Sequence, residues 1–281
     1  MAEITSRIMT FTAGDGYPLY FRAYVPHDQP KGHLVCLHGI QSHGGWYETS
    51  CRKLAEAGYI VSYLDRRGSG LNWLARGDAP NYARLLADIK EFITDDGLDV
   101  PVTLIATSWA GKLGVLLAAE KKPVLDHLVL LCPGLFPQVK PPLPVRLGIA
   151  ASRFTKPAKL FPIPLGDPEL FTEHGDWQDY LKNDPLSLHH ATARLLVESF
   201  WLDGAVQRIK HLQRMPTLLM LGGNDRIIRN DVTRDWLQRV SPHSQVLEYP
   251  SAHHTLEFEP GQPFVNDLLA WLVAGSSGPV M

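Results

Sequence analysis

The 281-residue sequence has little of several features that would reveal its function directly. Its three cysteines, Cys36, Cys51 and Cys132, are too few and too scattered for a disulfide framework or a zinc cluster, and an odd number fits a reducing compartment. The 27 basic and 29 acidic residues nearly balance, and no block of five or more lysines and arginines occurs. We therefore expect a cytoplasmic protein that does not bind nucleic acid.

Long apolar runs and cofactor motifs are also missing. No run approaches the roughly 18 apolar residues of a membrane span, and residues 1–16 lack the pattern of a secretory signal, so we expect no integral membrane segment. The sequence has no H-E-x-x-H or C-x-x-C motif, and no glycine-rich phosphate loop follows the first predicted parallel strand. The pairs His189-His190 and His253-His254 are consecutive, so neither presents two imidazoles on one face. We expect neither a metal nor a cofactor.

Short apolar runs alternate with helical periodicity along the chain, which predicts a mostly parallel sheet with helices on both faces. The predicted strands of this sheet are residues 34–37, 59–64, 102–106, 128–131, 217–221 and 245–249. The predicted helices are residues 45–57, 81–94, 109–121, 231–240 and 263–273. Residues 5–12 and 19–24, joined by Ala-Gly-Asp-Gly, predict an antiparallel N-terminal hairpin.

The alternation stops between residues 134 and 204. Nine prolines lie between Pro133 and Pro168, which argues against a sheet interior or a long helix there. Helical periodicity returns at residues 187–202. We interpret 134–204 as an inserted lid over the carboxyl ends of the strands, where open α/β sheets bind ligands, within a core formed by 1–133 and 205–281. The alternative is a surface excursion with no role in substrate binding.

Residues 104–111, Leu-Ile-Ala-Thr-Ser-Trp-Ala-Gly, are typical of a strand that runs directly into a helix, with Ser108 at the corner. Such a turn lifts the hydroxyl clear of the sheet and directs the first helical N–H groups at the space beside it. Small residues are needed where strand and helix approach, and Ala106, Ala110 and Gly111 meet this need. The usual pattern is G-x-S-x-G, and alanine occupies both glycine positions here. Taken alone, Ser108 also fits a helix N-cap.

Three further segments follow predicted strands and carry groups that a serine nucleophile needs. Residues 37–43, Leu-His-Gly-Ile-Gln-Ser-His, offer backbone amides for a developing negative oxygen. Asp225 lies in the turn after strand 217–221, and His253 and His254 lie in the loop after the last strand. A serine hydroxyl needs an imidazole to take its proton, and a carboxylate must hold that imidazole in one tautomer.

Together these segments resemble the α/β-hydrolases, most closely the monoacylglycerol lipase and lysophospholipase-like group, over nearly the whole chain outside 134–204. That group has H-G-x-G-x-H, D-x-R-G-x-G, G-H-S-M-G-G and G-x-x-D segments and a G-A-x-H histidine loop. The resemblance implies that Ser108 is the nucleophile, Asp225 the acid and His254 the base, in the order expected of this fold. His254 rather than His253 is selected because the family has one variable residue between Y-P-G-A and its histidine. Residues 65–70, Asp-Arg-Arg-Gly-Ser-Gly, match the structural turn.

By the same resemblance, the backbone N–H groups of Ile40 and Trp109 form the oxyanion hole, and the positions predicted to bind substrate are His38, Gln41 and His43. A hydrogen-bonded structural role stays open for His38, and a role in orienting its loop for His43. Relative to the family pattern, Gln41, Ala106, Ala110 and Ser251 replace glycine, and each adds bulk near the site. The arginines at 66 and 67 fit either an anionic substrate group or pairing within the loop.

The predicted function is a serine esterase or lipase that hydrolyses carboxylic esters through an acyl-enzyme. Its expected partner is a small-molecule ester with an apolar acyl group: a monoacylglycerol, a lysophospholipid or a short-to-medium-chain ester. One alternative applies the same residues to thioesters or carbon–carbon bonds, and another is a non-catalytic ligand-binding protein with this fold. The sequence makes no prediction of oligomeric state.

Overall fold

A computed structural model describes residues 3–95, 97–213 and 215–275. Within these ranges, short apolar runs form strands and amphipathic runs form helices. The strands are β1 (Ile4–Thr12), β2 (Pro18–Pro26), β3 (His33–Leu37), β4 (Ile60–Leu64), β5 (Val102–Thr107), β6 (His127–Leu131), β7 (Leu160–Pro162), β8 (His190–Thr192), β9 (Thr217–Gly222) and β10 (Gln245–Tyr249). The helices are α1 (Glu48–Glu56), α2 (Tyr82–Asp95), α3 (Gly111–Ala118), α4 (Leu143–Thr155), α5 (Gly175–Asn183), α6 (Ala193–Gln207), α7 (Asn230–Val240) and α8 (Pro263–Gly275).

Eight strands form one sheet in the order β1-β2-β4-β3-β5-β6-β9-β10. In this sheet the neighbouring strands β4, β3, β5, β6, β9 and β10 are all parallel, whereas β1 pairs antiparallel with β2, and β2 with β4. Every residue of β3, β4, β5 and β9 is buried, because helices cover both faces of these strands. The predicted parallel sheet with an antiparallel N-terminal hairpin is confirmed.

Two predicted helices are preceded by 3₁₀ turns. Gly44–Tyr47 precedes α1, and Ser108–Ala110 precedes α3. The His43 ring caps the first of these turns by accepting a hydrogen bond from the Gly45 N–H. The second turn is the abrupt strand-to-helix corner expected at the serine, and it moves the start of the α-helix to Gly111.

The expectation that prolines prevent a long helix in the 134–204 segment was wrong. Helix α4 has 13 residues, because Pro142 and Pro144 lie at its N-terminus, where a missing N–H removes no helical hydrogen bond. Pro157 lies two residues after its last residue, Thr155. The helix predicted at 187–202 begins only at Ala193, since residues 190–192 form β8 and pair antiparallel with β7. Helix α5 was not predicted.

The 134–204 segment begins after β6, and its last helix, α6, continues past residue 204. It contacts loops that follow the carboxyl ends of core strands: the Leu188 N–H donates to the Gln41 carbonyl after β3, and the Thr255 N–H after β10 donates to the Phe171 carbonyl. The segment therefore borders the edge of the sheet that carries the predicted site. Among the helices of residues 3–95, 97–213 and 215–275, none combines the length and the apolar character that a bilayer span requires.

Candidate active site

Ser108 stands at the corner between β5 and the turn that leads into α3. Its φ angle is +53°, a left-handed conformation that is uncommon for a residue other than glycine. A strained backbone of this kind is the geometry of a nucleophile elbow, in which the serine side chain projects from the sheet edge. Ser108 is partly exposed, whereas the strand before it is fully buried.

The alanine at position 106 is accommodated by a glycine on the facing helix. A Cβ atom placed on Gly114 of α3 would lie only 2.9 Å from the Cβ of Ala106. One methyl group therefore fits between β5 and α3, and here the strand supplies it. Gly39 has a similar role on the other side of the serine, since a Cβ there would lie 3.0 Å from the Cβ of Ser108. Strand β5 and helix α3 thus stay in close contact although alanine replaces the elbow glycine at position 106.

Asp225, His254 and Ser108 form a continuous chain of hydrogen bonds. The Asp225 Oδ2 atom lies 2.6 Å from His254 Nδ1, and His254 Nε2 lies 2.8 Å from Ser108 Oγ. A carboxylate can only accept, so Nδ1 carries the proton and Nε2 is left to accept the hydroxyl proton of the serine. The three predicted residues, far apart in sequence, are brought together in the orientation that proton abstraction from serine requires.

The second oxygen of Asp225 fixes the carboxylate in place. Its Oδ1 atom accepts hydrogen bonds from the backbone N–H groups of Ile227, at 2.7 Å, and Ile228, at 3.1 Å. The Cys132 thiol is buried behind the pair, and burial raises its pKa well above the usual value. In the described part of the chain, Cys132, Asp225 and His254 are the one group of three possible metal ligands that lie close together. The same histidine and carboxylate atoms already share the 2.6 Å hydrogen bond.

The two predicted oxyanion-hole residues flank the serine. Trp109 follows Ser108 directly, and Ile40 follows Gly39, where an added Cβ atom would lie 3.0 Å from the Cβ of the serine. Neighbouring residues hold both of them. The Trp109 indole N–H donates to Ser199 Oγ at 2.8 Å, and the Ile40 carbonyl accepts from Arg66 Nη2 at 2.9 Å.

His38 is placed differently from the prediction that it binds substrate. Its ring is 1% exposed; Nε2 accepts from the Arg66 backbone N–H at 2.9 Å, and Nδ1 lies 2.7 Å from the Gly39 carbonyl. Burial, and then the charge of Arg66, lower the pKa of His38 to about 3, so the ring is neutral at physiological pH. Both ring nitrogens are occupied within the protein. His38 therefore supports the loop after β3 and does not face a substrate, which corrects the prediction.

Gln41 and His43 join that loop to the 134–204 segment. The Gln41 amide lies 3.4 Å from His189 Nδ1. His43 Nδ1 accepts from the Gly45 N–H, so Nε2 carries the proton and donates to Asp184 Oδ2 at 2.9 Å. Both side chains are buried. The observed contacts of His43 favour the loop-orienting role, because both of its ring nitrogens have partners within the protein.

Two residues near the site were missed from the sequence. The Phe171 ring packs edge-on against the His254 ring with 6.0 Å between centroids. Asp184 accepts hydrogen bonds from His43, from the Trp46 indole at 2.8 Å and from Ser187 Oγ at 2.7 Å. Neither residue lies in a motif, and no periodicity marks either, so the sequence held no signal for them.

Residues 28–261 match the Hydrolase_4 family, described as serine aminopeptidase, S33. The chain belongs to this family. The family match and the arrangement of the sheet confirm the predicted α/β-hydrolase fold and the predicted enzyme class, serine hydrolase.

Individual proteins and solved structures extend this similarity. The chain is 23% identical to a monoacylglycerol lipase of Mycolicibacterium smegmatis over 98% of this chain and 99% of the relative. It is 26% identical to an uncharacterised abhydrolase domain-containing protein of Dictyostelium discoideum, of whose length it spans only 29%. The crystal structure of a Paleococcus ferrophilus monoacylglycerol lipase superposes with a TM-score of 0.79 at 22% identity, covering 92% of this chain and 99% of that one. The predicted resemblance to the monoacylglycerol lipase group is confirmed.

Proposed function

We propose that the protein hydrolyses carboxylic esters with an apolar acyl group through Ser108, His254 and Asp225. The observation that carries this proposal is the unbroken hydrogen-bond chain from the Asp225 carboxylate through His254 to the Ser108 hydroxyl, at 2.6 and 2.8 Å. Similarity to monoacylglycerol lipases supports an ester as the substrate. Monoacylglycerols, lysophospholipids and short-to-medium-chain esters are the candidate substrates.

In the proposed reaction, His254 Nε2 takes the hydroxyl proton as Ser108 Oγ bonds to the ester carbonyl carbon. The carbonyl electron pair moves to its oxygen, which the N–H groups of Ile40 and Trp109 stabilise. The tetrahedral intermediate then collapses: the bond to the alcohol oxygen breaks, and His254 returns the proton to the leaving alcohol. Water attacks the acyl-enzyme in the same way and releases the acid. Asp225 keeps its charge throughout and orients the imidazole.

A fluorophosphonate probe tests the central step, because it labels only an activated serine. We expect the wild type to be labelled and Ser108→Ala to lose labelling and ester hydrolysis together. Ser251→Ala is the matched control, since Ser251 is an exposed serine at the same edge of the sheet; it should retain both. A well-folded wild type that does not react would contradict the proposal and favour a non-catalytic binding protein.

The 134–204 segment is proposed to be the lid of this site. Its contacts support that role: Phe171 touches His254, and Ser199 holds the indole of Trp109. Shortening residues 139–161, which include α4, should change the preference for acyl length more than the turnover of an acetate ester. A panel of p-nitrophenyl esters and monoglycerides graded by acyl length measures both. Equal loss on all chain lengths would contradict a lid.

A further inference from the structure

One buried arginine contacts both residues of the proposed oxyanion hole. Arg66 Nη2 donates to the Ile40 carbonyl at 2.9 Å, and the guanidinium lies over the Trp109 ring, 5.0 Å from its centroid. The backbone N–H of Arg66 also donates to His38, which bonds in turn to the Gly39 carbonyl. Arg66 therefore reaches the loop after β3 and the corner after β5 at the same time.

Among the described residues, no carboxylate pairs directly with Arg66; Asp65 attracts its charge only from a distance and is itself bonded to Arg22. Among the residues that the structure describes, no carboxylate oxygen lies within 4 Å of its guanidinium, although the side chain is only 8% exposed. The next residue shows the contrast, because Arg67 pairs with Asp88 at 2.7 Å and with Asp15 at 3.0 Å. Burial lowers the pKa of Arg66 to about 10, so the group still carries its charge at neutral pH.

Arg66 also has hydrogen-bond donors that are not used. Within the described residues, its Nε and Nη1 atoms are buried and have no partner. Unpaired buried charge and unused donors both oppose folding, so this arrangement does not serve stability. Because both atoms are closed to solvent, an anionic substrate group could not reach them in this conformation. The structure thus argues against the headgroup role that the sequence left open for Arg66.

We propose that Arg66 is a positioning residue for the oxyanion hole: it fixes the main chain at Ile40 and the ring at Trp109, and its positive charge, which has no direct ion-pair partner among the described residues, favours the negative oxygen of the tetrahedral intermediate. This inference rests on the proposed ester hydrolysis at Ser108. A fixed charge in a site of low dielectric acts on developing charge more strongly than it would in water. The effect is confined to the transition state, because the ground-state ester is neutral.

Replacing Arg66 should therefore lower turnover without weakening substrate binding. Loss of a direct oxyanion donor costs about a hundred- to a thousandfold in kcat, and we expect about a ten- to a hundredfold loss for Arg66→Met on an acetate ester, with KM changed by less than about threefold. Arg66→Lys keeps the charge and loses the planar contact with Trp109, so it should recover part of the activity. The melting temperature of Arg66→Met should be unchanged or higher, since an unpaired buried charge is replaced by an apolar side chain.

A transition-state analogue separates this role from a general structural one. A trifluoromethyl ketone forms an anionic tetrahedral adduct with the serine, so its Ki should rise across the Arg66 variants by the same factor as kcat/KM falls. The Ki of a neutral alcohol product should not change. A merely structural residue would weaken both inhibitors together and lower the melting temperature.

Arg67→Met is the matched control at the neighbouring position. It removes an arginine that has carboxylate partners, so it should lower the melting temperature and leave the kcat of the folded enzyme within about threefold of wild type. Unchanged kcat and Ki in Arg66→Met, with Ser108→Ala inactive, would overturn the inference alone. A wild type that hydrolyses no ester, or a fully active Ser108→Ala, would instead overturn the proposed function.

Discussion

The carboxyl edge of the sheet and the 134–204 segment both border the candidate site, but the segment adds buried polar pairs to the apolar contacts that it makes with the core, for example at Leu188 and Leu195. The sheet edge follows strands such as β3 and β9, whose residues are all buried. The segment is attached to the core through buried carboxylates. Asp184 accepts from His43 and Trp46 of the core, and Asp78 of the core accepts from Thr192 and Arg194 of the segment.

The two regions also differ in the apolar side chains that they expose to solvent. Helices α4 and α6 of the segment expose large apolar side chains, whereas the central strands expose none. The exposed side chains on these two helices are Leu143, Leu147, Phe154, Phe200 and Trp201. The sheet edge thus rests on strands that are buried throughout, whereas the segment combines apolar contacts with the core and buried polar pairs. Changes in one region should therefore separate from changes in the other.

The largest effect is expected at the sheet edge, for Asp225→Asn. The amide cannot hold His254 in the tautomer that accepts the serine proton, so kcat should fall by about 10⁴-fold. Stability should change little, because the Asn Oδ1 atom can still accept from the N–H groups of Ile227 and Ile228. Ester hydrolysis and thermal unfolding, with the exposed Asp235→Asn as control, measure both. A loss below about tenfold would mean that another group orients His254.

In the segment, Asp184→Ala should act on stability first. The change leaves buried donors of His43, Trp46 and Ser187 without an acceptor, and each costs about 1 kcal/mol or more, so we expect a loss of about 3 kcal/mol. Limited proteolysis should then cut within 134–204 sooner than in the core. The exposed Asp179→Ala on the same segment is the control. If both variants unfold alike in urea, the carboxylate at 184 does not attach the segment.

The pH dependence of this attachment has a defined sign. Burial alone would raise the pKa of Asp184, but the hydrogen bonds from His43, Ser187 and Trp46 outweigh it and hold the pKa well below its usual value. The folded state therefore favours the ionised carboxylate. Its contribution to stability is complete above the ordinary aspartate range, near pH 4, and is lost as the pH falls further. The wild type should lose stability in acid more steeply than Asp184→Ala does.

The same contrast explains what the sequence could and could not predict. Buried strands such as β3 and β9 are continuous apolar runs, so their positions were predicted to within a residue or two, as was the strand-to-helix corner at Ser108. Asp184 and its partner His43 are 141 residues apart. Such pairs depend on side chains that meet only after folding, and no local pattern encodes them. Helix α4 was missed because the prediction used the number of prolines in the segment, whereas those near α4 lie at or beyond its ends, where they do not break a helix.

A buried carboxylate on the sheet-edge side allows a sharper test, because it forms no ion pair with a basic group in the described part of the chain. Glu257 lies three residues after His254; its Oε1 atom accepts from the Ser50 N–H and from Gln262, and Oε2 has no partner among the described residues. Burial raises the pKa of Glu257 to about 7. Because the folded state holds this proton more tightly than the unfolded chain does, stability should fall as the pH rises from about 4.5 to about 7.

Glu257→Gln should remove this dependence. Between pH 5 and pH 8, the free energy of unfolding of the wild type, measured in urea, should fall by up to about 3 kcal/mol relative to that of the variant. Glu248→Gln is the control, since Glu248 is more exposed and pairs with Arg234; its pH profile should follow the wild type. Parallel profiles for wild type and Glu257→Gln would show that Glu257 is ionised without cost in the folded protein.

The smallest expected effect compares a glycine from each region. A Cβ at Gly114 of α3 would lie 2.9 Å from the Cβ of Ala106, whereas a Cβ at Gly148 of α4 would lie 3.7 Å from the Phe161 ring, an ordinary van der Waals contact. Gly114→Ala should destabilise by about 1 to 2 kcal/mol through overpacking, and Gly148→Ala should stabilise by up to about 1 kcal/mol through helix propensity.

The double variant Gly114→Ala/Ala106→Gly completes the comparison. It moves the single methyl group from β5 to α3, so the clash disappears and we expect a coupling energy of about 1 kcal/mol relative to the sum of the single variants. Ester turnover should recover with stability, since both report the distance between strand and helix at Ser108. Additive single effects would mean that the two methyl groups do not compete for one space between β5 and α3.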